Sequence, residues 1–391
     1  MPQKSSLSQT WRLAIAASLA WASSAGNAAL AQKLGMPSLS PAEQTAQESS
    51  TQAEAELQKG IELTRNGRFA EAIPHFLAAK GGVSNEYAAE FNLALCYVGT
   101  GQSEEAIRLL SELQKKGHEN ASVENLLAQA DAKAGLSKEA MEALRRGAQF
   151  TPKDAKLYIY VADAFLERGE DELGLQAVDF GLKHLPDSAR LHYERGYLLS
   201  RLDETDAAKA AYERAVGLAP HSVIGYLAEV EKDLLAGNIS QAIEAARAGI
   251  REGREDYQLL AALGESLLRS GAKPGDAEFT EAKDALEKSV AARPTYASSQ
   301  ISLGHLYLLE GSVDKAVEHL EAGRQLDSQN FSAYPLLAKA YQKQGQTEKA
   351  AAVLATLAKM NQDQAQKIQT APGDSKAIPG AARPEGSAPQ P

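Results

Sequence analysis

The chain has 391 residues, with 41 Lys and Arg against 51 Asp and Glu, and its formal net charge is −10. An acidic chain is poorly suited to non-specific nucleic-acid binding, which depends on basic residues that neutralise phosphates. We interpret the charge as a solubility feature and expect no nucleic-acid partner. Cys96 is the single cysteine, so no disulfide can form within the chain, and we interpret it as a small buried hydrophobe.

The first 31 residues have the order of a secretory signal. Lys4 and Arg12 form a basic start, residues 13–25 form an apolar run, and the small residues of 29–31 offer a cleavage site before Gln32. We therefore expect residues 1–31 to be removed and the protein to be exported, either to a periplasm or out of the cell. A retained membrane anchor is the alternative, because residues 13–32 carry no charge and are long enough to cross a bilayer.

Two segments are predicted to lie outside the folded part of the chain. Residues 32–52 are polar and contain Pro37 and Pro41, which predicts a flexible linker. Residues 370–391 hold five of the 15 prolines together with Gly, Ala and Ser, which predicts a disordered tail. Before this tail, we expect the last helix to continue to about Gln369 and to cap the final repeat.

Residues 53–361 repeat with a period of 34 residues, interrupted by one insertion of six residues near Pro274. Eight of the nine residues at the eighth place of each repeat are Gly or Ala, and Val230 is the exception. All nine residues at the twentieth place are small. Two helices joined by a tight turn approach closely only where a side chain is small. The period therefore predicts nine helix-turn-helix repeats, which are 53–86, 87–120, 121–154, 155–188, 189–222, 223–256, 257–296, 297–330 and 331–361.

The turn inside each repeat carries a second signal. Glycine stands at this place in eight repeats, and Asp203 replaces it in the fifth. Glycine there suits the left-handed backbone conformation that ends a helix. Pro152, Pro186, Pro220 and Pro294 stand between repeats, where a proline stops the preceding helix.

These features resemble the tetratricopeptide repeat family, whose signature combines the 34-residue period, small residues at the eighth, twentieth and twenty-seventh places, and a terminal proline. The resemblance implies an all-α fold, namely a right-handed superhelix (α-solenoid) of about nine repeats with a concave groove. It implies a scaffold that binds proteins or peptides, and it does not identify the partner. The family's clamp for chaperone tails is absent: Asn92 matches its central asparagine, but Leu57, Ile61, Ser122 and Leu126 stand where the clamp has Lys, Asn, Lys and Arg.

In the family resembled, the second, fifth, ninth and twelfth places of each first helix line the groove. Tyrosine and arginine are enriched in interface hot spots, and arginine suits capture of a partner's carboxylate. The alternative is that these are ordinary exposed helix residues, with Tyr197 partly packed against the next repeat. Apolar residues nearby, such as Leu227, Ile301 and Leu308, are either core or a surface for an apolar segment. The predicted peptide-contacting residues are Asn125, Gln129, Lys133, Lys156, Asp163, Arg190, Tyr193, Tyr197 and Arg201.

No catalytic grouping occurs in the sequence. The seven histidines form no His-x-x-x-His pair, and no nucleophile elbow, phosphate-binding loop or dinucleotide fingerprint is present. We therefore expect no enzymatic activity, no cofactor, no metal and no membrane span after removal of the signal, and a monomeric protein. The predicted function is a non-enzymatic protein–protein interaction scaffold or adaptor of the cell envelope. The alternative is an envelope receptor or structural protein that binds a small ligand or a cell-wall glycan.

Overall fold

The structure of the protein is a computed structural model that describes residues 40–370. The predicted signal at 1–31, the first part of the predicted linker at 32–39 and the predicted tail at 371–391 lie outside these residues. Over residues 40–370 the chain forms helices and no strand. The helices are α1 (Pro41–Arg65), α2 (Phe69–Ala79), α3 (Glu86–Gly99), α4 (Ser103–Lys115), α5 (Ala121–Ala134), α6 (Ser137–Phe150), α7 (Ala155–Leu166), α8 (Asp171–His184), α9 (Ala189–Arg201), α10 (Thr205–Leu218), α11 (Val223–Leu235), α12 (Ile239–Arg251), α13 (Tyr257–Arg269), α14 (Ala277–Ala292), α15 (Ala297–Glu310), α16 (Val313–Leu326), α17 (Ala333–Lys343) and α18 (Thr347–Thr370).

The chain divides after Glu119 into two compact units. The first, the N-terminal body, contains α1 to α4, and the second, the C-terminal body, contains α5 to α18. In both bodies the helices pack as consecutive pairs, and in the C-terminal body the first helix of each pair also contacts the first helix of the next pair. The all-helical class predicted from the repeat is confirmed. Among residues 40–370, none of the helices combines the length and apolar character needed to cross a membrane.

Paired helices meet where one side chain is missing. A Cβ atom on Gly196 would lie 2.7 Å from the ring of Tyr212, and one on Gly304 would lie 2.6 Å from the side chain of Leu320. Non-bonded carbon atoms do not approach so closely, and Tyr212 and Leu320 are both fully buried. The small residues at the eighth place are therefore required by the crossing of α9 with α10 and of α15 with α16.

The structure corrects the predicted linker, because residues 41–52 form the first turns of α1. Ser40 caps this helix: its Oγ accepts a hydrogen bond from the Glu43 backbone N–H at 3.3 Å, and the Ser40 N–H donates to Glu43 Oε2 at 2.8 Å. Pro41 occupies the first helical position, where the missing N–H removes no intrahelical bond. This capping box starts a helix in a segment whose polar composition alone indicates a tether. At the other end, α18 continues to Thr370.

Cys96 is fully buried in α3, and its Sγ lies 3.3 Å from Thr64 Oγ1 on α1. Burial raises the pKa of the thiol, although the hydrogen bond with Thr64 opposes this effect. A thiol in such a site stays protonated and acts as a small packed hydrophobe. The interpretation of Cys96 as a core residue is confirmed.

Asp203 adopts the left-handed conformation predicted for the turn that ends the first helix of the fifth repeat. Its φ is 60°, and it is the one non-glycine residue with positive φ in the described part of the chain. The equivalent turns at Gly169 and Gly237 have φ of 66° and 78°. An L-residue pays a steric penalty in this region that glycine avoids, and Asp tolerates it better than most residues.

The Asp203→Gly variant is expected to be more stable than the wild type by about 0.5–1 kcal/mol, because it removes this steric penalty. Denaturant unfolding followed by circular dichroism measures the change. Asp203→Asn is the matched control and is expected to leave stability unchanged, since Asn also tolerates positive φ. A loss of stability in Asp203→Gly would contradict the argument.

Candidate functional site

The ninth place of each first helix forms a ladder along the C-terminal body. First helices of successive pairs contact one another, and these residues occupy the same place of the repeat on each of them. We call this row the ninth-place ladder. From α5 to α17 its rungs are Gln129, Asp163, Tyr197, Glu231, Glu265, His305 and Lys339.

The two side-chain amides of the predicted site, Asn125 and the rung Gln129, form hydrogen bonds within the protein. The Asn125 Nδ2 donates to the backbone carbonyl oxygen of Leu157 at 2.9 Å, which ties α5 to α7. The Gln129 Nε2 donates to Asn125 Oδ1 at 2.7 Å. Both amides therefore orient each other and the adjacent helix, which leaves less of their hydrogen-bonding capacity for a ligand.

The lysines predicted for the third and fourth repeats differ in their surroundings. Lys133 forms an ion pair with Glu167, which stands at the thirteenth place of the next repeat. Lys156 lies exposed on the first turn of α7, where its backbone N–H bonds to Asp154 Oδ1 at 3.0 Å. Of the two ammonium groups, that of Lys156 is the more available to a partner.

Both arginines predicted to capture a partner's carboxylate already bind a carboxylate of the chain. The Arg190 Nε donates to Glu194 Oε1 at 2.6 Å, and the Arg201 Nε donates to Asp171 Oδ1 at 3.1 Å. Their guanidinium groups also lie over tyrosine rings, Arg190 at 5.8 Å from the Tyr193 centroid and Arg201 at 6.0 Å from that of Tyr197. The positive charge expected at this site is thus largely neutralised within the fold.

The two predicted tyrosines are not equivalent. The Tyr193 ring packs against the buried ring of Tyr212 with centroids 5.7 Å apart, and it belongs to the edge of the core. Tyr197 is 37% exposed and is the ring that a ligand can reach directly. The apolar residues considered as a possible binding surface are core, since Leu227, Ile301 and Leu308 are all buried.

Two rungs of the ladder show that it lies in a recess. Asp163 is exposed to water, yet desolvation by the surrounding protein raises its pKa to about 7, with Glu194 adding to the shift and Arg190 opposing it. Desolvation is also the main cause that raises the pKa of the exposed Tyr197. A side chain that meets water and is still surrounded by protein lies on the wall of a concave surface.

Glu231 and Glu265 extend this surface and were missed in the sequence analysis. Desolvation, followed by the charge of Glu265, raises the pKa of Glu231 to about 7, while Arg269 lowers it. Desolvation also raises the pKa of Glu265, which lies 3.6 Å from Arg269. The signal was present, because two steps of 34 residues from Tyr197 lead to these glutamates. The sequence analysis gave more weight to the leucines of the sixth repeat, such as Leu227, than to Glu231.

The ladder changes character beyond Glu265. Burial lowers the pKa of His305, and the positive charge of Lys339 on the next rung lowers it further. The ladder therefore carries acidic and aromatic side chains from α7 to α13, and an imidazole and an ammonium group on α15 and α17. Within the described residues, no three His, Cys, Asp or Glu side chains are arranged to hold a metal ion.

The fold and this ladder define a helical-repeat protein with a recessed polar face. A sequence profile of the tetratricopeptide repeat matches residues 63–130 and 307–371, and a second profile of the same repeat matches 189–222, the segment that the period delimits as its fifth repeat. The chain therefore contains tetratricopeptide repeats in these segments.

Similar proteins are distant. A chloroplastic protein from Arabidopsis thaliana is 29% identical over 108 residues, which are 27% of this chain and 29% of that protein. The chain thus spans less than a third of this relative. A tetratricopeptide repeat protein from Parabacteroides merdae is 18% identical with a TM-score of 0.46, covering 65% of this chain and 98% of that one. Yeast Tom70 is 13% identical with a TM-score of 0.38, covering 81% of this chain and 93% of that one.

The Glu231→Gln variant tests the desolvation of this recess. Burial raises the pKa of the Glu231 carboxyl from the ordinary 4.5 to about 7 in the folded protein. Between pH 4.5 and pH 7 the folded state therefore binds more protons than the unfolded state. The free energy of unfolding consequently falls as the pH rises through this range. Removing the charge is expected to raise the free energy of unfolding by about 1 kcal/mol at pH 8 and to change little at pH 4.

Denaturant unfolding at both pH values measures this difference. Glu213→Gln, at an exposed carboxylate of α10, is the matched control and is expected to have no effect at either pH. An equal gain for Glu231→Gln at pH 4 and pH 8 would contradict the assigned cause.

Proposed function

We propose that this protein is a non-enzymatic interaction scaffold or adaptor of the cell envelope that holds a peptide or protein segment in the recess of the C-terminal body. The observation that carries the proposal is the ninth-place ladder, in which Asp163 and Tyr197 are both open to water and desolvated. A recess whose side chains are already in place suits the insertion of a peptide segment better than contact with a flat protein surface. The tetratricopeptide repeats support a protein partner.

The scaffold acts by presenting fixed side chains rather than by chemistry. Ion pairs fix neighbouring helices against one another: Lys133 with Glu167 joins the first helix α5 to the C-terminal end of the first helix α7, and Arg201 with Asp171 joins α9 to the second helix α8 of the preceding repeat. A preorganised surface reduces the ordering cost of binding. We propose that the protein works as a monomer, with each repeat contributing one rung to the contact.

Site-specific photo-crosslinking in the native host tests this function. A benzophenone amino acid at Tyr197 is expected to give discrete adducts whose mass identifies a protein partner, because this ring is exposed in the recess. The same amino acid at Phe150, which is 49% exposed on the second helix α6, is the matched control and is expected to give none of these adducts. Equal adducts from both positions would overturn the placement of the site.

The experiment also separates the alternative. If no protein adduct forms at Tyr197 and cell-wall fragments protect that ring from iodination, the recess serves a glycan receptor instead. Exposed tyrosine beside arginine, as at Tyr197 and Arg201, is the observation that keeps a stacked ring ligand in consideration.

Export is the second part of the proposal and rests on the order of basic, apolar and small residues in 1–31. The intact mass of the protein from cell fractions is expected to correspond to a chain that begins at Gln32 and to come from the envelope or the medium. A full-length chain in the cytosolic fraction would contradict export, and a full-length chain in the membrane fraction would indicate a retained anchor.

A further inference from the structure

Glu231 is a desolvated carboxylate without a bonded cation. Within residues 40–370 its side chain makes neither a hydrogen bond nor an ion pair, and its exposure is only partial. Desolvated charges in proteins are normally paired, so this carboxylate needs an explanation. Three buried carboxylates of the C-terminal body show the usual pairing with an arginine: Glu124 with Arg146 at 2.9 Å, Glu194 with Arg190 and Asp171 with Arg201.

The nearest cationic group does not supply the missing partner. Arg269 reduces the pKa shift of Glu231, but its guanidinium Nη1 lies 3.6 Å from Glu265 on its own helix. Glu231 and Glu265 therefore share a single arginine, Arg269, and this group of three side chains lacks one positive charge. Asp163, two rungs away, is a further carboxylate without a hydrogen-bonded cation. Asp131 is buried without one too, but the charged groups that act on its pKa all belong to its own repeat.

Three tyrosines lie within electrostatic reach of the Glu231 carboxylate. Desolvation raises the pKa of Tyr193, Tyr212 and Tyr296, and in each case the charge of Glu231 adds to the shift, which places these hydroxyls within its electrostatic reach. Tyr197 in turn acts on Tyr296, so α9 and the start of α15 face the same recess. Tyrosine rings beside a carboxylate suit a cation with an apolar stem, because the ring faces attract positive charge.

A second observation is independent of the carboxylates. In the described part of the chain, two buried side-chain polar atoms lack a hydrogen-bond partner, Tyr212 Oη and Ser266 Oγ. Tyr212 packs on Tyr193, and Ser266 directly follows Glu265. The Ser200 hydroxyl lies near enough to Tyr212 to lower the pKa of its phenol, and it donates its own hydrogen bond to the Tyr197 carbonyl oxygen at 2.7 Å. Unsatisfied polar atoms are rare in folded proteins, and the charge of Glu231 acts on one of these two groups, the Tyr212 hydroxyl.

We propose that the recess between Tyr197 and Glu265 binds a basic segment of a partner protein, whose lysine or arginine head is received by the Glu231 carboxylate and whose stem lies on the tyrosine rings. The proposal rests on the proposed function, since it names the chemistry of the segment that the scaffold holds. Charge complementarity selects this occupant: the arginines at the recess already have carboxylate partners, whereas Glu231 has no bonded cation.

Selection from a display library of random dodecapeptides on the full chain tests the proposal. Peptides enriched by the wild type are expected to share one Lys or Arg, and Glu231→Gln is expected to weaken the resynthesised peptide at least tenfold, because a charge-assisted contact is lost. Glu231→Lys is expected to enrich Asp or Glu at the same position. Glu213→Lys, on the exposed face of α10, is the control and is expected to keep the wild-type preference.

A variant of the selected peptide with norleucine in place of lysine separates the charge from the stem. The norleucine peptide is expected to bind the wild type at least tenfold more weakly than the lysine peptide does. The two peptides are expected to bind Glu231→Gln with equal affinity. Circular dichroism confirms that each variant is folded.

The outcomes distinguish the two proposals. Peptides that bind at Tyr197 without a basic residue, and regardless of position 231, would overturn the basic-segment proposal and leave the scaffold function standing. No saturable peptide at all would overturn both. If spermidine displaces the peptide with equal affinity, the recess recognises a free polyamine and not a protein segment, and the basic-segment proposal is wrong.

Discussion

The close approach of paired helices is the constraint on which the rest of the structure depends. At Gly196 there is no room for a Cβ atom, because the ring of Tyr212 fills the space. The same relation holds between Gly304 and Leu320, three helix pairs and one insertion further along the chain. Because the helices of each pair cross with nearly the same geometry, the first helix of every pair has a similar orientation relative to the first helix of the next pair. The register of those first helices is therefore a consequence of packing at the small residues.

That register turns a sequence period into a surface. Residues 34 apart, such as Tyr197 and Glu231, are distant in sequence. They stand on first helices of successive pairs, and these first helices contact each other in the C-terminal body. Ion pairs with similar separations, such as Lys133 with Glu167 and Arg247 with Glu281, link successive repeats. A repeat protein is stabilised largely by such nearest-neighbour interfaces. The candidate surface consequently receives one side chain of the ninth-place ladder from each repeat of the C-terminal body.

The electrostatics of the recess decide which partners it suits. Desolvation brings the pKa of Asp163 and Glu231 to about 7, so the charge of the ladder responds to pH near neutrality. The arginines nearby do not offset this effect completely, because Arg190 and Arg201 are bonded to Glu194 and Asp171. The basic segment proposed as the ligand follows from this shortage of positive charge, whereas exposed arginines alone suggest an acidic ligand.

The sequence by itself determined the helix pairs, the crossings and the turns, because these depend on side-chain size and backbone conformation within a few residues. Asp203 at a left-handed turn and the buried Cys96 were both predictable on these grounds. The capping box at Ser40 was equally local, and the start of α1 at Pro41 was missed only because composition was given more weight than the cap.

The set of places that makes up the candidate site was available from the sequence, since the stripe on each first helix follows from the repeat. Its chemistry was decided only by the tertiary structure. Whether Arg201 is free or bonded to Asp171, thirty residues earlier in the chain, depends on how two repeats pack. Whether Glu231 is solvated depends on the protein that surrounds it from several repeats. Desolvation and ion pairing are sums over groups distant in sequence, so no local pattern of residues specifies them.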